Sequence, residues 1–428
     1  MLWAGKNSPQ HPAGAGSEGP SSPSRRCSTA ANRAPGEARA ARLGSTAKSV
    51  RHSAVRAARF RHQRHAAKLL GGKARVGLCR WSVISKAGGV DLVASSYVGG
   101  QQRTHFEGVQ TCGSVWVCPC CSARISETRR GEMNSLLSWA RSQGYTLKMI
   151  TLTARHGHDD DLAELLDRMK DAKRRWARHR AYGRIKTHMI GSVTATEVTG
   201  GGVNGWHPHF HVILVLDGTT DLAKLEDAWL ASLKGAGLEG AGAAFQIQDA
   251  EAAGEYIAKW GAAEEVALSG RKNGRVGRTP GQLLAASSDD DDAEAGALWA
   301  EYARVFHGKR QLVWSRGLKD LAGIGEVTDN EAAQDERQDG QIELGRSNIP
   351  HETWRSQVAA RTEDRRSDLL NRADEVGPDQ AVQELQKVPS DNGVVDDDPF
   401  IPPPDIERGG LRHVLEQQMK EVRRWRQT

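Results

Sequence analysis

The most regular alternation in the chain runs from Trp206 to Gly218, as Trp206-His207-Pro208-His209-Phe210-His211 and then Val212-Ile213-Leu214-Val215-Leu216-Asp217-Gly218. Period-two spacing that feeds an apolar, β-branched run and ends at Asp-Gly predicts a strand with all three imidazoles on one face. Lys148–Thr153, Met189–Thr199, Ala243–Gln248 and Arg310–Ser315 read as further strands. Helical stripes are predicted over Ser126–Trp139 (Met133, Leu136 and Leu137 against Arg129, Arg130 and Glu132), over 160–179 (Leu162, Leu165, Leu166, Met169 and Trp176), over Asp221–Leu233, over 251–263 and over Leu298–Phe306. Asp221 is a candidate N-cap and Gly235 a stop. A strand pair is expected between Cys79 and Thr111. The order β-α-β-β-α-β, then a helix, predicts an α+β fold: an antiparallel sheet on the split βαβ, ferredoxin-like plan, with helices on one face. The histidine strand follows its predecessor through Gly200-Gly201-Gly202. It should therefore be central, with its other face bare.

Outside that block the pattern weakens and charge takes over. Residues 1–75 hold 15 Lys/Arg against 2 Asp/Glu, a net of +13, which leaves −7 for the rest of a 428-residue chain of net charge +6. An arm this basic and poor in large apolar residues is expected to be largely disordered and to favour polyanions, nucleic acid foremost. Within it Arg51–Lys68 has helical spacing, with Arg56, Arg59, Arg64 and Lys68 on a basic face. Ser269–Ser288 reads as a basic, Gly-rich loop (Arg271, Lys272, Arg275, Arg278) suited to DNA. Residues 321–428 turn polar, with Asp396-Asp397-Asp398, Pro402-Pro403-Pro404 and a last amphipathic stretch, Leu411–Trp425; they are expected to form a largely disordered tail. No charged start precedes an apolar segment, and the longest aliphatic run is Val212–Leu216. Secretion and membrane spanning are thereby disfavoured, and a reducing cytoplasm is the expected compartment.

Four of the six cysteines fall within ten residues, which suits a metal better than a disulfide framework. Cys118 and Cys121 form a C-x2-C knuckle, and Cys112 and Cys79 are the favoured remaining ligands of a structural Zn²⁺ with four thiolates; Cys120 or His105 could substitute. Cys27 lies in the arm. The histidines suggest a second ion. At roughly 3.3 Å per residue His207 and His211 stand about 13 Å apart, too far to share one small cation. His209 and His211 are the favoured pair, because His207 sits beside Pro208 at the strand entrance. Glu197, near the end of the preceding strand, could complete a site of two imidazoles and one carboxylate with open positions. In Glu255-Tyr256-Ile257-Ala258-Lys259, Tyr256 and Lys259 share a helix face. A phenol of pKa about 10 is a weak nucleophile until its oxyanion is stabilised, as Lys259 could do.

Taken together, the C-P-x-C knuckle, the Leu-Thr strand, H-P-H-F-H-V-I-L and Y-x-x-K resemble the initiators of rolling-circle plasmid replication, single-tyrosine members of the HUH endonuclease superfamily. The resemblance covers roughly residues 76 to 320. It implies a cysteine-rich zinc-binding segment over 76–146 and a nicking domain over 147–320. There Mg²⁺ or Mn²⁺ would be held by His209 and His211 with Glu197 as a further ligand, and Thr151 and Thr153 would support the site. It further implies that Tyr256 attacks single-stranded origin DNA held in a hairpin, giving a 5′-phosphotyrosyl bond and a 3′-OH primer. Duplex origin DNA, a host helicase and a host DNA polymerase are the implied partners, with no role for a membrane. Where some related initiators carry a glutamate one helical turn before the tyrosine, this chain has Ala252, flanked by Glu251 and Glu255. Alternatives are a transposase or relaxase of the same superfamily, although a relaxase usually places its tyrosine before the histidines, and a zinc-containing DNA-binding regulator without cleavage.

Overall fold

The computed structural model describes residues 35–72, 74–96, 102–202, 205–249, 277–334, 341–359 and 365–387. It divides into a unit of Met1–Val50 and a unit of Arg51–Thr428. In the first unit residues 35–50 are described, all helical, as the opening turns of α1 (Pro35–Leu69).

The second unit contains two antiparallel sheets. The larger is built from β3 (Thr146–Leu152), α3 (Leu162–Arg178), β4 (Met189–Gly202), β5 (Gly205–Leu216), α4 (Lys224–Gly235) and β6 (Phe245–Asp249), and β7 (Leu312–Trp314) is added at one edge. Its strand order is β6-β3-β5-β4-β7, so the histidine strand is central, as its residue pattern predicts. β5 pairs with β3 (Thr151 opposite His211) and with β4 (Glu197 opposite His209). Pro208 falls where β3 has already ended opposite Phe210, so β5 has a single neighbour there and the missing N–H is tolerated.

The mixed α+β, antiparallel architecture agrees with the sequence reading, but helices cover both faces of this sheet. On one face Val212, Leu214 and Leu216 of β5 and Ile150 of β3 pack against Leu165, Leu166, Met169 and Trp176 of α3 and Leu225 and Trp229 of α4. On the other, Ile213 and Val215 with Met149, Val193 and Ala195 meet Met133, Leu136, Leu137 and Ala140 of α2 (Pro119–Ser142). Each such buried aliphatic side chain contributes about 1.5–3 kcal/mol. The second helix layer stops short of the His209 and His211 end of that face, so the bare surface is half a sheet rather than a whole one. Gly200 is required at the β4–β5 hairpin because a Cβ there would lie 2.4 Å from the Trp206 ring, which anchors the start of the histidine strand.

The smaller sheet has the order β2-β1-β8, from β1 (Val90–Ser96), β2 (Gln102–Glu107) and β8 (Ile342–Ile349). The β1–β2 pair is the one expected; β8 comes from the stretch expected to lack order. Its Arg346 Nη1 donates to Asp91 Oδ2 at 2.8 Å and Glu107 Oε2 at 2.7 Å, a contact between residues 239 and 255 apart in sequence. Helices Arg365–Val376 and Pro378–Lys387 follow. The first of these presents wholly buried Arg366 between the rings of Phe60 and Trp81, 4.2 and 3.7 Å from their centroids.

Other local expectations also shift. From Phe60 onward α1 buries Phe60, Gln63, Ala66 and Ala67, and Arg56 of its basic face bonds Asp374 at 2.9 Å, so this part of the arm is packed protein. Asp221 caps no helix: it accepts from Ala223 N at 2.9 Å, one residue ahead of α4, and Gly235 is that helix's last residue. In the expected loop, Arg278 exchanges two backbone hydrogen bonds with Gly200, and Pro280–Asp289 is a helix opened by a Thr279/Gln282 capping box. Residues 251–276, with Tyr256 and Lys259, lie outside the described residues, as do Cys27 and Leu411–Trp425. Among the described residues no helix is long and apolar enough to cross a membrane.

Candidate metal centres

Among the described residues, two groups of side chains converge closely enough to hold an ion: Cys79, Cys112, Cys118 and Cys121, all buried, and Glu197, His209 and His211, all half-buried; in each the donor atoms lie within 4.8 Å of one another.

The cysteine group is assembled from two loops and a helix start. Arg80, at φ +58°, and Gly113, at φ +63°, follow Cys79 and Cys112, and each left-handed residue turns the chain away after its thiol is aimed inward. Gly113 also needs its missing Cβ, which would fall 1.9 Å from Asn330 Oδ1. Cys118 is the N-cap of α2, Pro119 opens the helix and Cys121 lies in its first turn, where the helix dipole favours thiolate. The sulfur separations are 3.4 Å (Cys79–Cys121), 3.7 Å (Cys112–Cys121) and 3.7 Å (Cys118–Cys79). Four ligands at about 2.3 Å around a tetrahedral ion would stand about 3.8 Å apart, so the set needs little movement to close. Hydrogen bonds from Cys112, Cys118 and Cys79 hold the Cys121 thiol far below its ordinary value, whereas burial, and then its neighbours, push Cys118 up. A doubly charged cation would stabilise all four as thiolates. Cys120 does not join them; its sulfur points to Gln63 Oε1 at 3.6 Å. His105 is likewise elsewhere, 3.5 Å from Glu107.

The second group lies on the uncovered end of the central sheet. Direct pairing of Glu197 with His209 across β4–β5 puts both side chains on one face, and His211 is the next residue of β5 on that face. Glu197 Oε2 lies 3.1 Å from His209 Nε2 and 3.5 Å from His211 Nε2. Burial works to raise the Glu197 carboxyl, but its hydrogen bonds to His209 and His211 and their charge outweigh it and hold the group well below the usual carboxylate range. It is therefore an anion wherever a metal would bind. His211 Nδ1 is 3.0 Å from Thr151 Oγ1 on β3, which leaves Nε2 pointing to the carboxylate. An outer partner of this kind fixes the ring and its tautomer. Thr151→Val is expected to weaken Mn²⁺ binding about 10- to 100-fold by titration calorimetry while leaving the melting temperature nearly unchanged; equal affinity would refute the role.

His207 does not join this group. Its Nδ1 is 2.6 Å from His156 Nε2, and burial, with His209 and His156 nearby, lowers its pKa to about 4, so the imidazole is neutral at pH 7. His156, beyond the end of β3, was not a candidate from sequence; its only signal is His156-Gly157-His158. Thr153 Oγ1 contacts the Ala154 carbonyl at 3.5 Å rather than the site.

Residues 103–220 match the family model described as a replication protein. Over this segment the chain is similar to replication proteins. The match includes three of the four clustered cysteines and all of Glu197, His209, His211 and Thr151; Cys79, Tyr256 and Lys259 fall outside it. The chain is 30% identical to Protein rep of Streptomyces lividans, over 51% of this chain and 64% of that protein, and 30% identical to a neomycin resistance protein of Streptomyces cyanogenus, over 27% and 32%. It thus spans less than two thirds of the first relative and about a third of the second. No solved structure matches the chain.

Proposed function

We propose that this chain is a plasmid replication initiator that nicks single-stranded DNA at the double-strand origin and starts rolling-circle replication. The observation that carries the reading is the convergence of Glu197, His209 and His211 on the open end of a central strand, inside the segment that matches replication proteins. The strand order, with β6, β3, β5 and β4 adjacent and all antiparallel, is that expected of a ferredoxin-like, HUH-type core. We assign Mg²⁺ or Mn²⁺ to the histidine–glutamate site and a structural Zn²⁺ to the four cysteines, on donor chemistry. When bound, the hard cation withdraws charge from a phosphate oxygen.

Tyr256 is the proposed nucleophile. The described chain stops at Asp249, opposite Lys148 on the strand next to β5, and resumes at Gly277, with Arg278 paired to Gly200, three residues along β4 from Glu197. Asp249 is three residues and two strand spacings from His211, about 14 Å. Tyr256 is only seven residues further on, and seven residues reach from about 10 Å as helix to about 24 Å extended. In the step itself the phenol loses its proton, its oxygen bonds to phosphorus, the P–O3′ bond breaks, and the 3′-oxygen takes up a proton. Lys259 supplies positive charge to the phenolate and the phosphate. The products are a 5′-phosphotyrosyl linkage and a 3′-OH, the primer a host polymerase would extend behind a host helicase. Incubation with a 5′-unlabelled, 3′-labelled hairpin oligonucleotide and Mn²⁺ should give a labelled band that survives denaturation; a DNA-binding regulator would only retard the native band.

A further inference from the structure

Beside the proposed nicking centre lies a cleft of about 820 Å³ between the Cys112–Val117 loop and the β7 edge of the large sheet. That volume is in the range of small-ligand pockets, roughly 300–1,000 Å³. Arg75, Arg310 and Arg316 line it and are exposed. None of the three has a carboxylate partner among the described residues. The cations beneath them are occupied: Arg129 Nη1 bonds Glu132 at 2.6 Å, and Lys319 Nζ bonds the same carboxyl at 3.2 Å. Two half-buried indoles, Trp116 and Trp314, complete the walls. Trp116 is held by its Nε1–H, which donates to the Lys309 carbonyl at 2.6 Å, and by the Phe306 ring, 4.8 Å centroid to centroid.

The β7 rim of the cleft is in register with the Glu197 strand. Leu312 pairs with Ala195, and Thr196 N donates to the Gln311 carbonyl at 3.4 Å, so Arg310 precedes Leu312 by the same two residues by which Glu197 follows Ala195. Ala195, Leu312 and Ile213 belong to one cluster on the face that carries His209 and His211.

We infer that this cleft holds the single-stranded DNA that adjoins the scissile phosphate, with Arg75, Arg310 and Arg316 on backbone phosphates and Trp116 and Trp314 against unstacked bases. The inference rests on the nicking reading for the direction of the strand, not for the chemistry of the cleft. Uncompensated guanidinium groups around a walled space attract a polyanion, and indole surfaces reward a base that has left its stack. A duplex keeps its bases stacked and has no use for them.

The test uses the full chain carrying Tyr256→Phe, without added Mg²⁺ or Mn²⁺, with a fluorescent single-stranded oligonucleotide followed by anisotropy from 50 to 300 mM salt. Arg310→Ala/Arg316→Ala is expected to weaken binding about tenfold or more and to flatten the plot of log K against log salt by about 1.4, at about 0.7 per phosphate contact on single strands. Arg75→Glu, a change at an exposed turn with no packing to lose, should act in the same direction. Arg184→Ala, on the exposed surface at the opposite end of the sheet, should change neither quantity. Unchanged affinity and slope in both rim variants would overturn the assignment, as would duplex binding as tight as the single strand. If wild-type protein forms the adduct with Mn²⁺ while the rim variants bind normally, nicking stands and the cleft falls. If no adduct forms but the rim variants lose binding, the cleft stands and nicking falls.

Discussion

Tyr256→Phe is expected to remove the denaturation-resistant DNA adduct altogether while retaining DNA binding, because phenylalanine keeps the ring and loses the attacking oxygen. The tyrosines among the described residues cannot substitute. Tyr145 immediately precedes β3, whose first residue pairs with Leu216 at the far end of the sheet from His211. Tyr182 is buried against Trp176, and burial raises its phenol. Tyr302 is buried and its phenol pushed far up by desolvation. Tyr97 lies outside the described residues. A companion variant, His211→Ala, leaves the phenol but removes a ligand from the cation that offsets charge on the phosphate; a loss of about a thousandfold in adduct formation is expected, since a single stabilising donor is worth 10²–10³. Adduct formation by Tyr256→Phe at the wild-type rate would eliminate the proposed nucleophile.

Loss of the cysteine-bound ion should have the largest effect on stability. The ion would join the loop after α1, the hairpin-bearing smaller sheet and the first turn of α2, so Cys121→Ser should release one equivalent of zinc and lower the melting temperature by on the order of 10 °C or more. Cys120→Ser is the control: its sulfur faces Gln63 rather than the other four, so metal content measured by emission spectroscopy should be unchanged. Equal zinc content in wild type and Cys121→Ser would exclude this site.

The central sheet was legible because its strands state both their faces in sequence. In β5 the odd positions carry His207, His209 and His211 and the even ones Trp206, Phe210 and Val212, and the observed burial alternates accordingly. The two side-chain clusters were legible for a similar reason, since Cys118-x-x-Cys121 and His209-x-His211 are local spacings. The pairing of Glu197 with His209 depends on register across a hairpin that contains an irregularity between Thr199 and Gly202, which residue spacing alone does not specify. β8 was missed because Glu343, Arg346 and Asn348 look like solvated residues until Asp91 and Glu107 are beside them. The packed turns of α1 were missed because, Phe60 apart, the residues named above as facing inward, Gln63, Ala66 and Ala67, are small or polar. Arg366 is the extreme case: a lone arginine in a polar stretch proves to be enclosed by two aromatic rings, with its Nη1 donating to Gln63 Oε1 at 3.0 Å.

The placement of β8 has a consequence for biosynthesis. As the polypeptide leaves the ribosome, every strand of the five-stranded sheet is out once Trp314 has emerged, whereas Val90–Ser96 waits for a neighbour some 250 residues downstream. The five-stranded sheet that carries Glu197, His209 and His211 can therefore form on the nascent chain before the smaller sheet has its last strand, and a premature stop between Trp314 and Ile342 would release a product with the larger sheet complete and the smaller one lacking an edge.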